Sequence, residues 1–216
     1  MAILKRYGWM IVIGAIMAGI LLWTLSRDGG PSTEIALPDG STAEVTPVEE
    51  MRVRTAEPAP FIDEAEYRLR VTGLVERETT LKLADIMALP VEERLLELPC
   101  VEGWTEKALW KGTRLFPLLE DAGIKEEADS VVFYSPGGYT TSLTLQDIRE
   151  SDPLLAYAVD GEALPQEQGS PLRLVVPGKL GYKWIKWLTG IEVISGEYRG
   201  YWESRGYSNQ ADADRR

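Results

Sequence analysis

The 216-residue chain contains no histidine and a single cysteine, Cys100. Without histidine there is no Ser-His-Asp hydrolysis, no His-ligated zinc or haem and no imidazole general base. One thiol cannot close an internal disulfide, nor furnish the ligands of an iron–sulfur cluster or a Cys-rich zinc site. A metal held at Cys100 would therefore take its other ligands from outside the chain. A glycine-rich phosphate loop, an internal repeat and a low-complexity block are also missing from the sequence, which leaves a nucleotide cofactor without a motif.

Basic residues are the minority charge, 23 Lys+Arg against 34 Asp+Glu, and nucleic acid is not an expected partner of so acidic a chain. A hydrophobic content of 44% over this length supports one sizeable core but not two, so one catalytic domain is the default.

The one long apolar run is YGWMIVIGAIMAGILLWTL from Tyr7 to Leu25, which carries no charge. As a helix it would extend about 28 Å, the thickness of a bilayer core. Trp9 and Trp23 stand near its ends, and Lys5 and Arg6 precede it. This pattern predicts a transmembrane anchor over 1–27, with the N-terminus cytoplasmic and the remainder periplasmic or extracellular at the cell membrane. Residues 28–60, rich in Pro, Gly, Thr, Ala and Glu, read as an extended tether, although Val45 to Val53 could add an edge strand. The outer domain is expected over 61–205, followed by a polar tail over 206–216.

Within that domain Tyr67 to Thr72 alternates apolar and polar residues as a half-buried strand. Leu83 to Leu89 has helical spacing and stops at Pro90, and Leu95 to Leu98 is a short strand that delivers Pro99-Cys100 at its end. Arg114 to Ala122 reads as a helix closed by Gly123. Ser130 to Ser135 and Tyr139 to Leu145 flank a Pro-Gly-Gly turn, and Leu154 to Val159 and Glu162 to Leu164 flank Asp160-Gly161. Strands at Leu172 to Val176 and Ile191 to Ser195 complete an α+β, β-rich domain.

Three segments carry candidate chemistry. In LPCVEGW (98–104), proline on one side and glycine on the other could hold the Cys100 thiol in fixed geometry, yet a lone cysteine is more often a small buried hydrophobe. The stretch from Leu164 to Leu188 gathers Arg173, Lys179, Lys183 and Lys186 with one acid, Glu167, which suits an anionic ligand or a solvated basic face. Ser135-Pro-Gly-Gly-Tyr139 allows close backbone approach and offers a phenol, or is an ordinary hairpin turn.

Together these segments resemble the molybdopterin-binding domain of the sulfite oxidase family over roughly residues 60 to 205. The resemblance rests on LPCVEGW, on Trp110-x-Gly112, on LLEDAG at 118–123 and above all on GEALPQEQGSPLRLVVPGKLGYKWIKWL at 161–188. It is nearest in kind to the bacterial branch that includes methionine-sulfoxide reductase catalytic subunits. The resemblance implies a β-rich, mixed-sheet fold and a molybdenum-molybdopterin cofactor, with Cys100 supplying the thiolate to molybdenum. It also implies cofactor contacts from Ser135, Gln168, Arg173, Trp184, Ile185 and Lys186, with Lys183 a nearby candidate and Tyr139 at the substrate face.

Where sulfite oxidases carry an arginine four residues after the metal cysteine, this chain has Trp104. The resemblance implies two-electron oxygen-atom transfer, and because a more apolar mouth suits a neutral sulfoxide better than a divalent anion, sulfoxide reduction is the expected form of it. The haem domain fused to some family members has no counterpart in this sequence, and a separate redox partner, haem- or quinone-linked in the membrane, is implied. The competing reading is a cofactor-free extracytoplasmic binding module on the same fold.

Overall fold

A Thr-rich, alternating pattern opens the described part of the chain as a hairpin of β1 (Thr33–Ala36) and β2 (Thr42–Val45). In this computed structural model the described residues are 31–215, so the span expected at 7–25 lies outside them. Among the described residues no helix is long and apolar enough to cross a membrane.

Residues 28–60 were expected to be an extended tether, and the structure corrects this over most of their length. Besides the hairpin, Thr46 donates its N–H to the Lys107 carbonyl at 2.8 Å, Val45 and Met51 are buried, and 48–50 forms a 3₁₀ turn. Sparse apolar residues hid this docking: Val45 and Met51 are its buried hydrophobics, and Val48 packs against the core beside them.

The main body is two sheets. The first runs β10 (Glu162–Ala163), β9 (Leu154–Val159), β6 (Thr105–Arg114), β5 (Val91–Pro99), all antiparallel, with β11 (Arg173–Val175) also on β9. The second runs β4 (Thr79–Leu81), β3 (Leu69–Gly73), β12 (Gly190–Ile194), β7 (Ser130–Tyr134), β8 (Thr140–Thr144). There β12 is parallel to β3 and antiparallel to β7, which makes the sheet mixed.

β9 shows why its run LLAYAV contains no polar residue: it is paired on both sides and buried along its whole length. Leu69, Val71, Phe133, Ile191 and Val193 from one sheet join Trp110, Leu155 and Leu174 from the other in one connected core. Three short helices cover it: α1 (Leu83–Met87), α2 (Leu115–Ala122) and α3 (Leu145–Ser151). Gly123 ends α2 at φ 79°, and Thr144 with Asp147 forms the capping box that starts α3. That capping box explains why the strand expected through Leu145 stops one residue earlier.

β6 is the long central strand that the sequence pattern concealed. Its Glu106, Lys107 and Lys111 break the apolar signal, yet Glu106 is buried and accepts the Arg52 N–H at 2.6 Å.

Candidate active site

β5 ends at Pro99, and the connection to β6 places Cys100 at the start of a tight loop. The Cys100 N–H donates to the Trp104 carbonyl at 2.9 Å and the Gly103 N–H returns to the Cys100 carbonyl at 3.1 Å, so the thiol stands on a backbone fixed at both sides. Cys100 lines a cavity of about 260 Å³, close to the lower bound of small-molecule sites.

A large part of the lining comes from 168–187. Around the cis Ser170-Pro171 bond, the buried Arg173 donates to the Gln168 carbonyl at 2.9 Å and to the Trp184 carbonyl at 3.2 Å. Its guanidinium centre lies 4.8 Å over the Trp110 ring, while its Nε has no hydrogen-bond partner. Gln168 spans two walls, accepting from Arg173 Nη1 at 3.3 Å and donating to the Met51 carbonyl at 3.3 Å. Gly169 must be glycine: its φ is 111°, and a Cβ there would stand 3.1 Å from both Arg173 Cβ and Lys186 Cα.

Burial pulls the Arg173 guanidinium down to about 9, still protonated at neutral pH. Burial first, and then the charge of Arg173, bring the Lys186 ammonium to about 7. Two desolvated, mutually repelling cations, with Glu106 acting on both from a distance and an orphaned buried N–H on Arg173, favour an anionic ligand. The residues therefore fit a ligand that carries a phosphate, such as molybdopterin.

Of the residues singled out in the sequence, the cavity brings together Cys100, Tyr139, Gln168, Arg173, Trp184, Ile185 and Lys186. Ser135 and Lys183 do not line it. Ser135 Oγ donates to Glu57 Oε1, and the Tyr139 N–H donates to Glu57 Oε2 at 3.0 Å, so a buried carboxylate fills the glycine turn. Lys183 points into the core, where its Nζ meets Glu203 Oε1 at 2.6 Å and the Ser142 carbonyl at 2.9 Å. A short 3₁₀ turn at 181–183 produces that inward orientation.

Tyr139 donates its hydroxyl to the Tyr182 carbonyl at 2.6 Å. Burial raises its phenol far above the neutral range, so it stays protonated.

The sequence reading passed over Arg52, Arg54, Glu57, Trp202 and Tyr207, all of which line the cavity. Arg-x-Arg at 52–54 was the available signal, hidden in the stretch taken for a tether. Tyr207 lies within the expected polar tail; it packs on Trp202 at 4.9 Å between ring centres, and Asp212 pairs with Lys179 at 2.7 Å. That end of the chain is therefore docked rather than free over 207–212.

Residues 56–202 match the oxidoreductase molybdopterin-binding domain family. The chain belongs to this family of molybdopterin-dependent oxidoreductases. It is 39% identical to the oxidoreductase YuiH of Bacillus subtilis, covering 70% of this chain and 77% of that protein. It is 34% identical to the protein-methionine-sulfoxide reductase catalytic subunit MsrP of Gluconobacter oxydans, over 63% of this chain and 49% of the relative. The fold is that of the sulfane dehydrogenase SoxCD from Paracoccus pantotrophus, with TM-score 0.62 and 22% identity, over 79% of this chain and 54% of the other. Several family relatives are thus about twice as long as the part this chain matches. The family establishes the β-rich, mixed-sheet fold of the sulfite oxidase type, the molybdenum-molybdopterin cofactor and the enzyme class.

Proposed function

We propose that this protein reduces sulfoxides at a molybdenum centre held by Cys100. The observation that carries the reading is the shared cavity: one lining holds Cys100 on its fixed loop together with the cations Arg173 and Lys186. Gln168, Arg173, Trp184, Ile185 and Lys186 would hold the pterin and its phosphate, Cys100 would be the protein's ligand to the metal, and the bound cofactor supplies two-electron oxygen-atom transfer.

Much of the lining is aromatic, with Trp104, Tyr139, Tyr182, Trp202 and Tyr207 among its residues. Such rings favour a sulfur centre and its alkyl groups. In the net reaction a sulfoxide takes two electrons and two protons, its sulfur–oxygen bond breaks, and a thioether and water leave. A separate redox partner at the membrane, haem- or quinone-linked, supplies the electrons. The protein is anchored through 7–25 with its catalytic domain on the periplasmic or extracellular side; protease protection in intact cells tests that placement.

The enzyme reading is tested by producing the protein with molybdate in a host that makes the pterin. Near-stoichiometric molybdenum and pterin are expected in the wild type, with turnover of a methyl sulfoxide that Cys100→Ser abolishes. Folded wild type without molybdenum or pterin would leave a cofactor-free binding module; loaded wild type inert toward sulfoxides would remove this substrate class.

A further inference from the structure

We infer that Glu57 sets the charge selectivity of this site, its fixed carboxylate turning away oxyanions such as sulfite and admitting neutral sulfoxides. This rests on the reading above that a sulfur–oxygen bond is the reacting group, and it names the substrate class of the same cavity.

Glu57 is only 8% exposed and lines the cavity together with Cys100. Both of its carboxylate oxygens accept, Oε1 from the Ser135 hydroxyl and Oε2 from the Tyr139 N–H at 3.0 Å. An ionised carboxylate, which can only accept, suits that pair of donors. The 135–139 turn closes directly on it, because a Cβ at Gly137 would stand 2.1 Å from Oε2. Thr55 fastens the Glu57 backbone on two sides, its Oγ1 donating to the Glu57 carbonyl at 2.6 Å and accepting the Glu57 N–H at 3.2 Å.

This carboxylate has no counter-ion of its own. Among the described residues no Lys or Arg nitrogen lies within 4.0 Å of it. Glu102, the other acid of the lining, is paired with Arg54 at 3.0 Å. Besides burial, the carboxylate charge that acts on Arg173 is that of Glu106, which also acts on Lys186 together with Glu167. Glu57 acts instead on the Tyr139 phenol, after burial, Glu203 and Tyr182.

The lining therefore has a cationic part, at Arg173 and Lys186, and a part beside Tyr139 whose fixed charge is negative. In a cavity poor in water a carboxylate repels a second anion far more strongly than it does in bulk solvent, and a neutral molecule of the same size escapes that penalty. Selectivity of this kind comes from a repulsive element and needs no additional contact to the accepted substrate.

The test uses the molybdenum-loaded full chain as wild type, Glu57→Gln and Glu57→Asp. Glutamine keeps the shape of the side chain, can accept the Tyr139 N–H and donate to Ser135 Oγ, and removes the charge; aspartate keeps the charge. Sulfate and neutral dimethyl sulfone, which are close in size, are compared as ligands by calorimetry and as inhibitors of methyl sulfoxide turnover. The wild type should bind the sulfone at least about tenfold more tightly than sulfate. Glu57→Gln should narrow that ratio by about tenfold, and Glu57→Asp should hold it within about threefold of wild type. A purely structural role would weaken both ligands together, so an unchanged ratio in Glu57→Gln overturns the inference. A wild type that binds sulfate as tightly as the sulfone, or binds neither, overturns it without recourse to a variant. If the loaded wild type turns over no sulfoxide, the functional reading fails on its own, and a ratio that narrows in calorimetry with Glu57→Gln still supports Glu57.

Discussion

Lys183 Nζ lies 2.6 Å from Glu203 Oε1, and both side chains are fully buried. Thr141 Oγ1 also donates to that oxygen, at 2.6 Å, and Asn209 Oδ1 accepts from the lysine at 3.2 Å. Burial pushes the Lys183 ammonium down from its usual value while Glu203 opposes the shift, so the pair survives by mutual support. It fastens the aromatic segment 201–207 to β8.

Removing one partner strands the other charge in the core. Lys183→Met should lower unfolding free energy by about 3–5 kcal/mol in urea titrations, and Lys183→Met/Glu203→Leu should recover most of that loss. Molybdenum content of whatever folds should stay near wild type, because Lys183 does not line the cavity. A selective loss of cofactor with unchanged stability would contradict this.

Lys186 is pushed down as well, but donates to the Glu167 carbonyl rather than to a carboxylate. Its folded value of about 7 lies below the 10.5 of an unfolded lysine, so the folded state binds fewer protons between them. For the cofactor-free domain this contribution to stability is fully present above about 10.5 and is lost as pH falls through about 7. The wild-type minus Lys186→Met difference in urea midpoint should therefore increase steadily from about pH 7 to pH 9, and a flat difference would refute the assignment. Filling the site with an anion should reverse the preference, taking up a proton near neutral pH.

Gly169→Ala tests the scaffold of the anion site. The substitution forces a side chain at φ 111° and crowds Arg173 and Lys186 together. About 1–3 kcal/mol of stability should be lost, and pterin content should fall more steeply than in a surface control.

Tyr139→Phe separates structure from chemistry. The lost bond to the Tyr182 carbonyl should cost about 0.5–1.5 kcal/mol. Because the phenol stays protonated, the limbs of the pH–rate profile should be the same in both proteins; disappearance of a limb in the variant would assign an ionisation to Tyr139.

Much of this architecture was legible in the sequence because its local signals are strong. Asp160 and Gly161 adopt φ 50° and 86°, as their hairpin turn requires, and Leu154 to Val159 is the buried strand that its apolar run announced. The 164–188 motif led to Gln168, Arg173 and Lys186. What stayed hidden depends on contacts between distant residues. Glu57 reaches Tyr139 across 82 positions, and Arg52 reaches Glu106 across 54. No periodicity records such pairings, and a Pro-rich stretch with two arginines reads as a linker until β6 is seen beside it. The inward turn of Lys183 was equally invisible, since a basic motif does not reveal which of its side chains face the core.

The cavity is bounded by 52–57 at one end of the described chain and by Trp202 and Tyr207 near the other. The thiol and both anchoring cations lie between these two stretches in sequence, so the residues that would hold the cofactor and the residues that complete its enclosure belong to different parts of the chain. Clipping the protein on either flank should accordingly hasten cofactor escape without touching a single group that binds it.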